Sequence, residues 1–363
     1  MPAGFARPST ICSGGPDARQ VNGTAGESVS CRPVTQPTDA KTVVHPAPDA
    51  ARAPPAPSAW RPLRHRTFAV LWGATLLSNI GTWMHDMGAG WLMTSLDPSP
   101  VMVALVQAAT TLPVFLFSLP AGALADIVDR RRMLLAVQAA MLVLAATLGL
   151  IVLGGAVTPA LLLAFTFALG TCTAATSPAW NAIVPRLVPH EDFPSAVALN
   201  AVSINISRTI GPAIGGALIT AFGLAWPFLV NAVSFCAVLA ALAWWRTAPR
   251  TPTEQPRERL TGALGAGLMH AYASAPLKAT LARALAFFIF ASAYWALLPL
   301  IAQQRLAGDA QLFGTLVACI GAGAVLGAQF LPRLRQRFGP HRVVVAATLA
   351  TTMVMATLAL ARQ

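Results

Sequence analysis

Nine apolar runs dominate the sequence, and each is about as long as an α-helix that crosses a lipid bilayer. Such a helix needs about 20 predominantly apolar residues to cover a hydrocarbon core about 30 Å thick. The 363-residue chain is 55% hydrophobic and only 10% charged, whereas about a quarter of the residues in a soluble domain are charged. We therefore predict an all-α polytopic membrane protein with about nine transmembrane helices. The runs cover residues 68–92, 101–123, 133–154, 160–183, 196–222, 225–245, 281–302, 312–331 and 343–361.

The basic residues that give the chain its formal net charge of +12 are unevenly distributed over the loops. The largest clusters, at 61–66, 130–132, 246–259 and 333–342, lie at one side of the predicted membrane. The other side carries only Arg305 and Arg362. Because Lys and Arg are enriched in cytoplasmic loops, this asymmetry predicts a multi-pass protein of the inner (plasma) membrane with a cytoplasmic N-terminus. The clusters form no single basic patch with aromatic neighbours, so we expect no nucleic-acid partner.

Composition and loop length divide the chain into four predicted regions. Residues 1–59 are rich in Pro, Ala, Ser, Thr and Gly without apolar periodicity, which predicts a disordered cytoplasmic tail. Residues 60–246 hold six apolar runs and predict a six-helix transmembrane unit. Residues 247–277 predict a cytoplasmic linker, because they are basic at their start and rich in Pro, and residues 278–363 hold three further transmembrane helices.

The turn between the second and third runs resembles a known transporter motif. It reads Gly122-Ala-Leu-Ala-Asp-Ile-Val-Asp-Arg-Arg-Arg132 and is similar to the loop between the second and third helices of major facilitator superfamily transporters. Ile127 and Asp129 depart from the basic residue and the glycine that are usual in this motif. The resemblance implies that the aspartate helps to latch two halves of a transporter on the cytoplasmic side, and a local role beside the arginines is the alternative. The candidate residues of this motif are Gly122, Asp126, Arg130, Arg131 and Arg132.

The same resemblance sets the expected architecture. Major facilitator transporters consist of two six-helix halves related as parallel repeats. Residues 327–342 echo the turn motif at the equivalent position of the second half, without its aspartate. The resemblance therefore implies a major facilitator fold with a complete N-terminal half and three helices of the C-terminal half. We expect a chain truncated after nine helices.

The fifth run carries a second motif. Gly211, Pro212, Gly215 and Gly216 resemble the G-P-x-x-G-G signature of exporter branches, and small residues of this kind let neighbouring helices approach closely. Together with the wider sequence from about Trp60, they resemble the transmembrane secretion effectors, a branch similar to the enterobactin exporter. The resemblance implies proton-coupled export of small amphipathic molecules, siderophores or drugs, by alternating access. The alternative is a truncated, inactive or partner-dependent membrane fragment.

Two charged side chains lie well inside apolar runs. Asp86 falls in the first run and Arg208 in the fifth, and each costs roughly 3 kcal/mol at a helix centre on insertion scales. One interpretation is a carboxylate that carries protons or binds substrate, with an arginine that compensates its charge. The other is that each side chain snorkels to the interface or hydrogen-bonds a helix backbone. An Asp86–Arg208 pair is possible in the first case.

One face of the first helix carries residues that could line a cavity. Asn79, Trp83, Asp86, Met87 and Gly90 recur at helical spacing, which would suit a bulky and partly apolar substrate. Helix packing explains the same Trp and Met stripe equally simply. We therefore take Asn79 and Trp83 as site candidates together with the two charged residues.

The motifs of several enzyme classes are missing from the sequence. It contains no G-x-x-x-x-G-K-[ST], G-x-S-x-G or H-E-x-x-H pattern, so we expect neither an ATP-driven pump nor a membrane enzyme. The five cysteines lack metal-ligand spacing and are predicted to be free thiols, without a metal or cofactor. His85 and the segment His190-Glu191-Asp192 are predicted to be solvated or interfacial. The expected partners are the lipid bilayer and a small-molecule substrate.

Overall fold

The computed structural model describes residues 60–245, 269 and 273–360, with the side chains of residues 126, 127 and 358–360 excepted. The predicted tail 1–59 lies outside these ranges, as does most of the predicted linker 247–277. Nine long α-helices run through the described ranges, which confirms the predicted all-α class. They are α1 Arg66–Leu96, α2 Pro100–Ile127, α3 Arg130–Leu153, α4 Pro159–Ile183, α5 Phe193–Phe222, α6 Trp226–Trp244, α7 Ala275–Gln304, α8 Ala310–Phe338 and α9 Pro340–Leu360.

Six of these helices are long and apolar enough to cross a membrane by length and composition. The other three described helices, α1, α5 and α9, are not among them, and α1 and α5 carry Asp86 and Arg208. The six spans are Pro100–Ala125, Arg130–Leu153, Pro159–Arg186, Trp226–Trp244, Ala275–Gln304 and Ala310–Phe338.

Side-chain caps fix where many of the helices begin. The first backbone N–H groups of a helix have no partner inside it, and a Ser, Thr or Asp just before the helix can accept from them. Ser99 accepts from Met102 N before α2, and Asp129 accepts from Arg132 N before α3. The same role falls to Thr158, Ser274 and Asp309 before α4, α7 and α8.

The first six helices pack closely with one another. The helix α1 packs against α5 and α6, α2 packs against α4, and α3 packs against α4 and α6. Hydrogen bonds reinforce the α1–α5 contact, because Trp72 Nε1 donates to Leu199 O over 3.1 Å and Ser207 Oγ donates to Leu76 O over 3.3 Å. The helix α8 packs along the other side of α5, and α7 contacts α2. Thus α5 lies between α1 and α8.

One end of the bundle gathers the basic turns, and we call it the arginine end. It holds the start of α1, where Arg61 contacts Asp192 just before α5. It also holds the ends of α4 and α6, because Arg130 donates to Ala182 O and Arg131 donates to Leu242 O. The helix α8 begins against Gly216, near the far end of α5. The helix α8 therefore begins near the end of the bundle opposite the arginine end.

Candidate transport pathway

Two cavities lie beside the middle of α1. The larger, about 470 Å³, is an open cavity lined by residues of α1–α4 and α6, and we call it the polar cavity after the polar side chains among them. The smaller, about 240 Å³, lies between α1, α2, α5, α7 and α8, and we call it the aromatic cavity. The polar side chains of the larger cavity are Thr82, His85, Asp86, Thr110, Thr111, Ser118, Thr166, Thr173 and Asn231.

Threonines give the polar cavity its character. Thr110 Oγ1 donates to Val106 O, and Thr166 Oγ1 donates to Leu162 O, each bond closing back onto its own helix. This satisfies the hydroxyl donor inside an apolar environment and leaves the oxygen able to accept a further hydrogen bond. The sequence does not predict this cavity, because a threonine within an apolar run does not indicate which helices it will face.

Asp86 lies at the boundary between the two cavities. Together with Thr110 and Thr111, it lines both of them. Its neighbours Trp83, Met87 and Gly90 line the aromatic cavity, as expected for that face of α1. Asn79 lines neither cavity. Four of the five residues of the predicted stripe thus line the aromatic cavity, and Asn79 does not.

Arg208 is not paired with Asp86. Within the described ranges the ion pairs join Arg61 and His65 to Glu191 and Asp192. The guanidinium carbon of Arg208 instead lies 5.5 Å from the ring centroid of Trp83 and 5.1 Å from that of Trp295. Cation–π contacts of this kind contribute about 0.5–2 kcal/mol each. Two of them offset much of the roughly 3 kcal/mol that an arginine costs at a helix centre.

The prediction that His85 is solvated or interfacial is wrong. The residue is only 2% exposed, and its ring meets the edge of Phe228 with 4.8 Å between centroids. Neither ring nitrogen has a hydrogen-bond partner among the described residues. The cause is position: His85 falls on the α1 face that packs against α6, where the apolar environment of the bundle replaces water.

The arginines of the turn motif hold helix ends together. The side chain of Arg130 donates to Ala125 O near the end of α2 and to Ala182 O at the end of α4. Arg131 donates to Leu242 O and Ala243 O at the end of α6, over 2.8 and 3.0 Å. The last carbonyls of a helix lack internal partners and carry the negative end of its dipole, so a cation there is stabilising. The two side chains thus join α2, α4 and α6 at the arginine end.

Two further positions of the turn motif are Gly122 and Asp126. A methyl group added at Gly122 would meet nothing within 4 Å among the described residues. The side chain of Asp126 lies outside the part that the structure describes. Its predicted latch role stays a prediction.

An ion-pair cluster at the arginine end was also missed. Asp192 is only 1% exposed, so the prediction that the His190–Asp192 segment is solvated is wrong for this residue. Its Oδ2 lies 2.9 Å from His65 Nε2, and its Oδ1 lies 3.1 Å from Arg61 Nε. A buried carboxylate needs such partners, because desolvation is costly. The cluster connects the segment before α1 to the start of α5. It could not be predicted, because its residues are far apart in the sequence.

The glycines of the α5 motif lie where two other helices come close to α5. A Cβ atom at Gly211 would lie 2.6 Å from the Cβ of Trp83, and one at Gly215 would lie 3.3 Å from Met84 Cα, both in α1. A Cβ atom at Gly216 would lie 2.6 Å from Ala310 O in α8. On the facing side, a Cβ atom at Gly314 would overlap the carbonyl oxygen of Pro212. A side chain larger than hydrogen has no room at Gly211, Gly216 and Gly314, and at Gly215 it fits only if α1 shifts slightly.

Comparison with known proteins agrees with this architecture. Residues 57–363 match the family described as transmembrane secretion effector. The chain is 24% identical over 270 residues to the staphyloferrin A transporter of Staphylococcus aureus (strain NCTC 8325 / PS 47), covering 73% of this chain and 67% of that protein. It is 32% identical over 172 residues to the enterobactin exporter EntS of Salmonella typhi, covering 47% of this chain and 40% of the exporter.

The fold is also found among solved structures. A bacterial homologue of the human lysosomal transporter Spinster, in an inward-facing and unoccupied conformation, superposes with a TM-score of 0.58 at 17% sequence identity. The superposition covers 77% of this chain and 64% of the other, so the chain spans less than two thirds of that structure. The family match covers most of the chain and the helical fold agrees with it. This protein therefore belongs to the transmembrane secretion effector family of major facilitator superfamily membrane transporters.

Proposed function

We propose that this protein is a proton-coupled exporter of small amphipathic molecules, siderophores among them, in which Asp86 carries the proton. The observation that supports this most directly is the position of Asp86 on both cavities. Ionisable side chains inside membrane helices are costly and mark ion or substrate pathways. On this proposal the polar cavity supplies water and protons, and the aromatic cavity receives the substrate. Two relatives named for siderophore transport support the substrate class.

The packing of α5 and α8 supports alternating access between the six helices α1–α6 and the helices that follow them. Close backbone contacts run from Thr209 against Gly321 to Gly216 against Ala310, which is the part of α5 away from the arginine end. Toward the arginine end of α8, residues 326–338 are exposed, apart from the half-buried Leu331. We infer that α1–α6 and the helices after them meet at the end opposite the arginine end and separate toward the arginine end. On our proposal, transport opens the close contact between α5 and α8 and closes the gap at the arginine end.

The experiment for this proposal is transport by the purified chain in proteoliposomes with an acidic lumen. Enterobactin and staphyloferrin A, the molecules named for the relatives, are the test substrates. We expect accumulation against the substrate gradient, collapse of that accumulation by a protonophore, and none in protein-free liposomes. Equal equilibration with and without the pH gradient, for both substrates, would contradict proton coupling.

The orientation proposal places the arginine end in the cytoplasm, so that the described conformation opens inward. Positive loops are retained on the cytoplasmic side, and Arg130 and Arg131 lie in one such turn. A reporter enzyme that works only in the cytoplasm should be active when it is fused after Val128. One that works only in the periplasm should be active when it is fused after Gly155. The reverse pattern at both sites would overturn the orientation and the inward-open assignment with it.

A further inference from the structure

Five threonines that line the polar cavity have already used their hydroxyl hydrogens. Each donates to the backbone carbonyl four residues earlier in its own helix, over 2.8–3.1 Å. A hydroxyl has one donor and two acceptor lone pairs, so each of these oxygens can still accept from a ligand. This part of the wall therefore favours a ligand with several hydrogen-bond donors. The five residues are Thr82, Thr110, Thr111, Thr166 and Thr173.

Asn231 of α6 adds a donor to the same wall. The residue is only 1% exposed, and its Oδ1 accepts from Ser234 Oγ over 3.3 Å. The backbone of α1 comes close to this oxygen, because a Cβ atom at Gly81 would lie 2.6 Å from it. No hydrogen bond within the described residues uses Nδ2 of Asn231, although the residue lines the polar cavity. A buried amide group without a partner is costly, so this donor indicates a group that binds to it.

The volume and the apolar part of the wall are those of a small-molecule site. The cavity measures about 470 Å³, and such sites span about 300–1,000 Å³ with a mainly apolar wall and a few polar groups. The polar groups are the threonines and Asn231, together with Ser118, His85 and Asp86. The apolar part of the wall consists of Val114, Phe115, Met141, Leu169 and Phe235.

Charge narrows the class of ligand. The ionisable side chains that line the polar cavity are His85 and Asp86. Both ring nitrogens of His85 are buried, and its ring packs on Phe228, so it offers no accessible cation to an anionic ligand. A cationic ligand would pair with Asp86 and compete with the proton that we assign to it. An uncharged ligand with several hydroxyl groups uses the threonine oxygens and the amide of Asn231 and leaves Asp86 free.

We propose that the polar cavity binds the uncharged, hydroxyl-rich head of the substrate. The threonine oxygens accept from its hydroxyl groups, and Nδ2 of Asn231 donates to one of its oxygens. The apolar part of the substrate occupies the aromatic cavity, on the other side of Asp86. Water occupies the polar cavity between substrates and makes the same hydrogen bonds, which the head then replaces. This inference rests on the proposed transport function and names its substrate class, amphipathic molecules with a sugar-like or polyol head.

The test compares two ligands that share a nitrophenyl group, 4-nitrophenyl β-D-glucopyranoside and 4-nitrophenyl cyclohexyl ether. The ether has a ring of the same size in place of the sugar but no hydroxyl groups. Equilibrium dialysis against the purified full chain, in a detergent without sugar groups and corrected with empty micelles, measures both affinities. The wild type should bind the glucoside about tenfold or more tightly, because the ether leaves the polar groups of the site unpaired.

Three variants of α4 separate the hydroxyl group from the shape of the cavity. Thr166 is 3% exposed and lines the polar cavity but not the aromatic one. Thr166→Val replaces its hydroxyl by a methyl group, so it should weaken glucoside binding about threefold to tenfold and leave ether binding unchanged. Thr166→Ser keeps the hydroxyl and should bind the glucoside as the wild type does. Thr171→Val is the matched control, because Thr171 donates to Phe167 O in the same way but lines neither cavity.

Two results would overturn the proposal. One is equal affinity of the wild type for the two ligands, or tighter binding of the ether, and this comparison needs no variant to fold. The other is unchanged glucoside affinity in Thr166→Val. Because dialysis involves no gradient, failure of proton coupling would leave these results unaffected.

Discussion

Asp86→Asn should abolish proton-driven accumulation of substrate in the proteoliposome experiment, to below about 5% of the wild-type rate. Asparagine has nearly the shape of aspartate but cannot take up and release a proton in transport, so coupling is lost while the cavity walls remain. The position of Asp86 on both cavities makes it the group through which a proton and a substrate can influence each other. The measurement is the initial rate of uptake with a fixed pH difference, together with substrate binding in detergent.

Asp97→Asn is the matched control for this variant. Asp97 lies just beyond the end of α1, where its Oδ1 accepts from Ser99 N over 3.0 Å. An amide oxygen can accept the same bond, so transport should stay close to the wild-type rate. Persistence of gradient-driven uptake in Asp86→Asn would assign Asp86 a structural role. Loss of binding in that variant would place it in substrate recognition instead.

Gly314→Ala should lower the stability of the protein and reduce transport by about tenfold or more. The added methyl group would overlap the carbonyl oxygen of Pro212 and lie 3.2 Å from Gly216 Cα. Both obstacles are backbone atoms, so no side-chain rotation relieves the clash and the helices must move apart. Overpacking of this kind costs about 1–3 kcal/mol. Thermal unfolding in detergent and the uptake rate are the two measurements.

Gly323→Ala and Gly327→Ala on the same helix provide the controls. A Cβ atom at either position would meet nothing within 4 Å among the described residues. Alanine is favoured over glycine inside a helix by about 1 kcal/mol, so these variants should be as stable as the wild type or slightly more so. If Gly314→Ala matched them in stability and uptake, the α5–α8 contact would not be close enough to control transport.

Much of the fold could be predicted, because a membrane constrains each helix separately. Every backbone polar group in the hydrocarbon must be satisfied within its own segment, so a run of about 20 apolar residues already implies a helix. The predicted start of the second run at residue 101 and the observed start of α2 at Pro100 illustrate this agreement. The motif glycines at 211, 215 and 216 likewise indicated close helix contacts before their partners were known.

The sites were harder to predict, because they depend on which helices meet. Asp86 and Arg208 were recognised as unusual since charge is rare in apolar runs. An ion pair between them was one of the two interpretations that the sequence left open, yet the guanidinium of Arg208 lies near indoles of α1 and α7 instead. The contact of Trp295 with Arg208 could not be predicted, because a tryptophan in an apolar run suits lipid contact, helix packing and cation contact equally well.

The helices, the membrane class, the family and the two charges inside apolar runs could be read from consecutive residues, because apolar length, loop charge and short motifs are local properties of the chain. Three other features emerge from helix packing: Asp86 borders two cavities, Asp192 is buried against His65, and α8 approaches α5 at Gly314. Each of these depends on the rotation and depth of one helix against another. Many rotations bury a similar apolar surface, whereas small differences in packing select one of them.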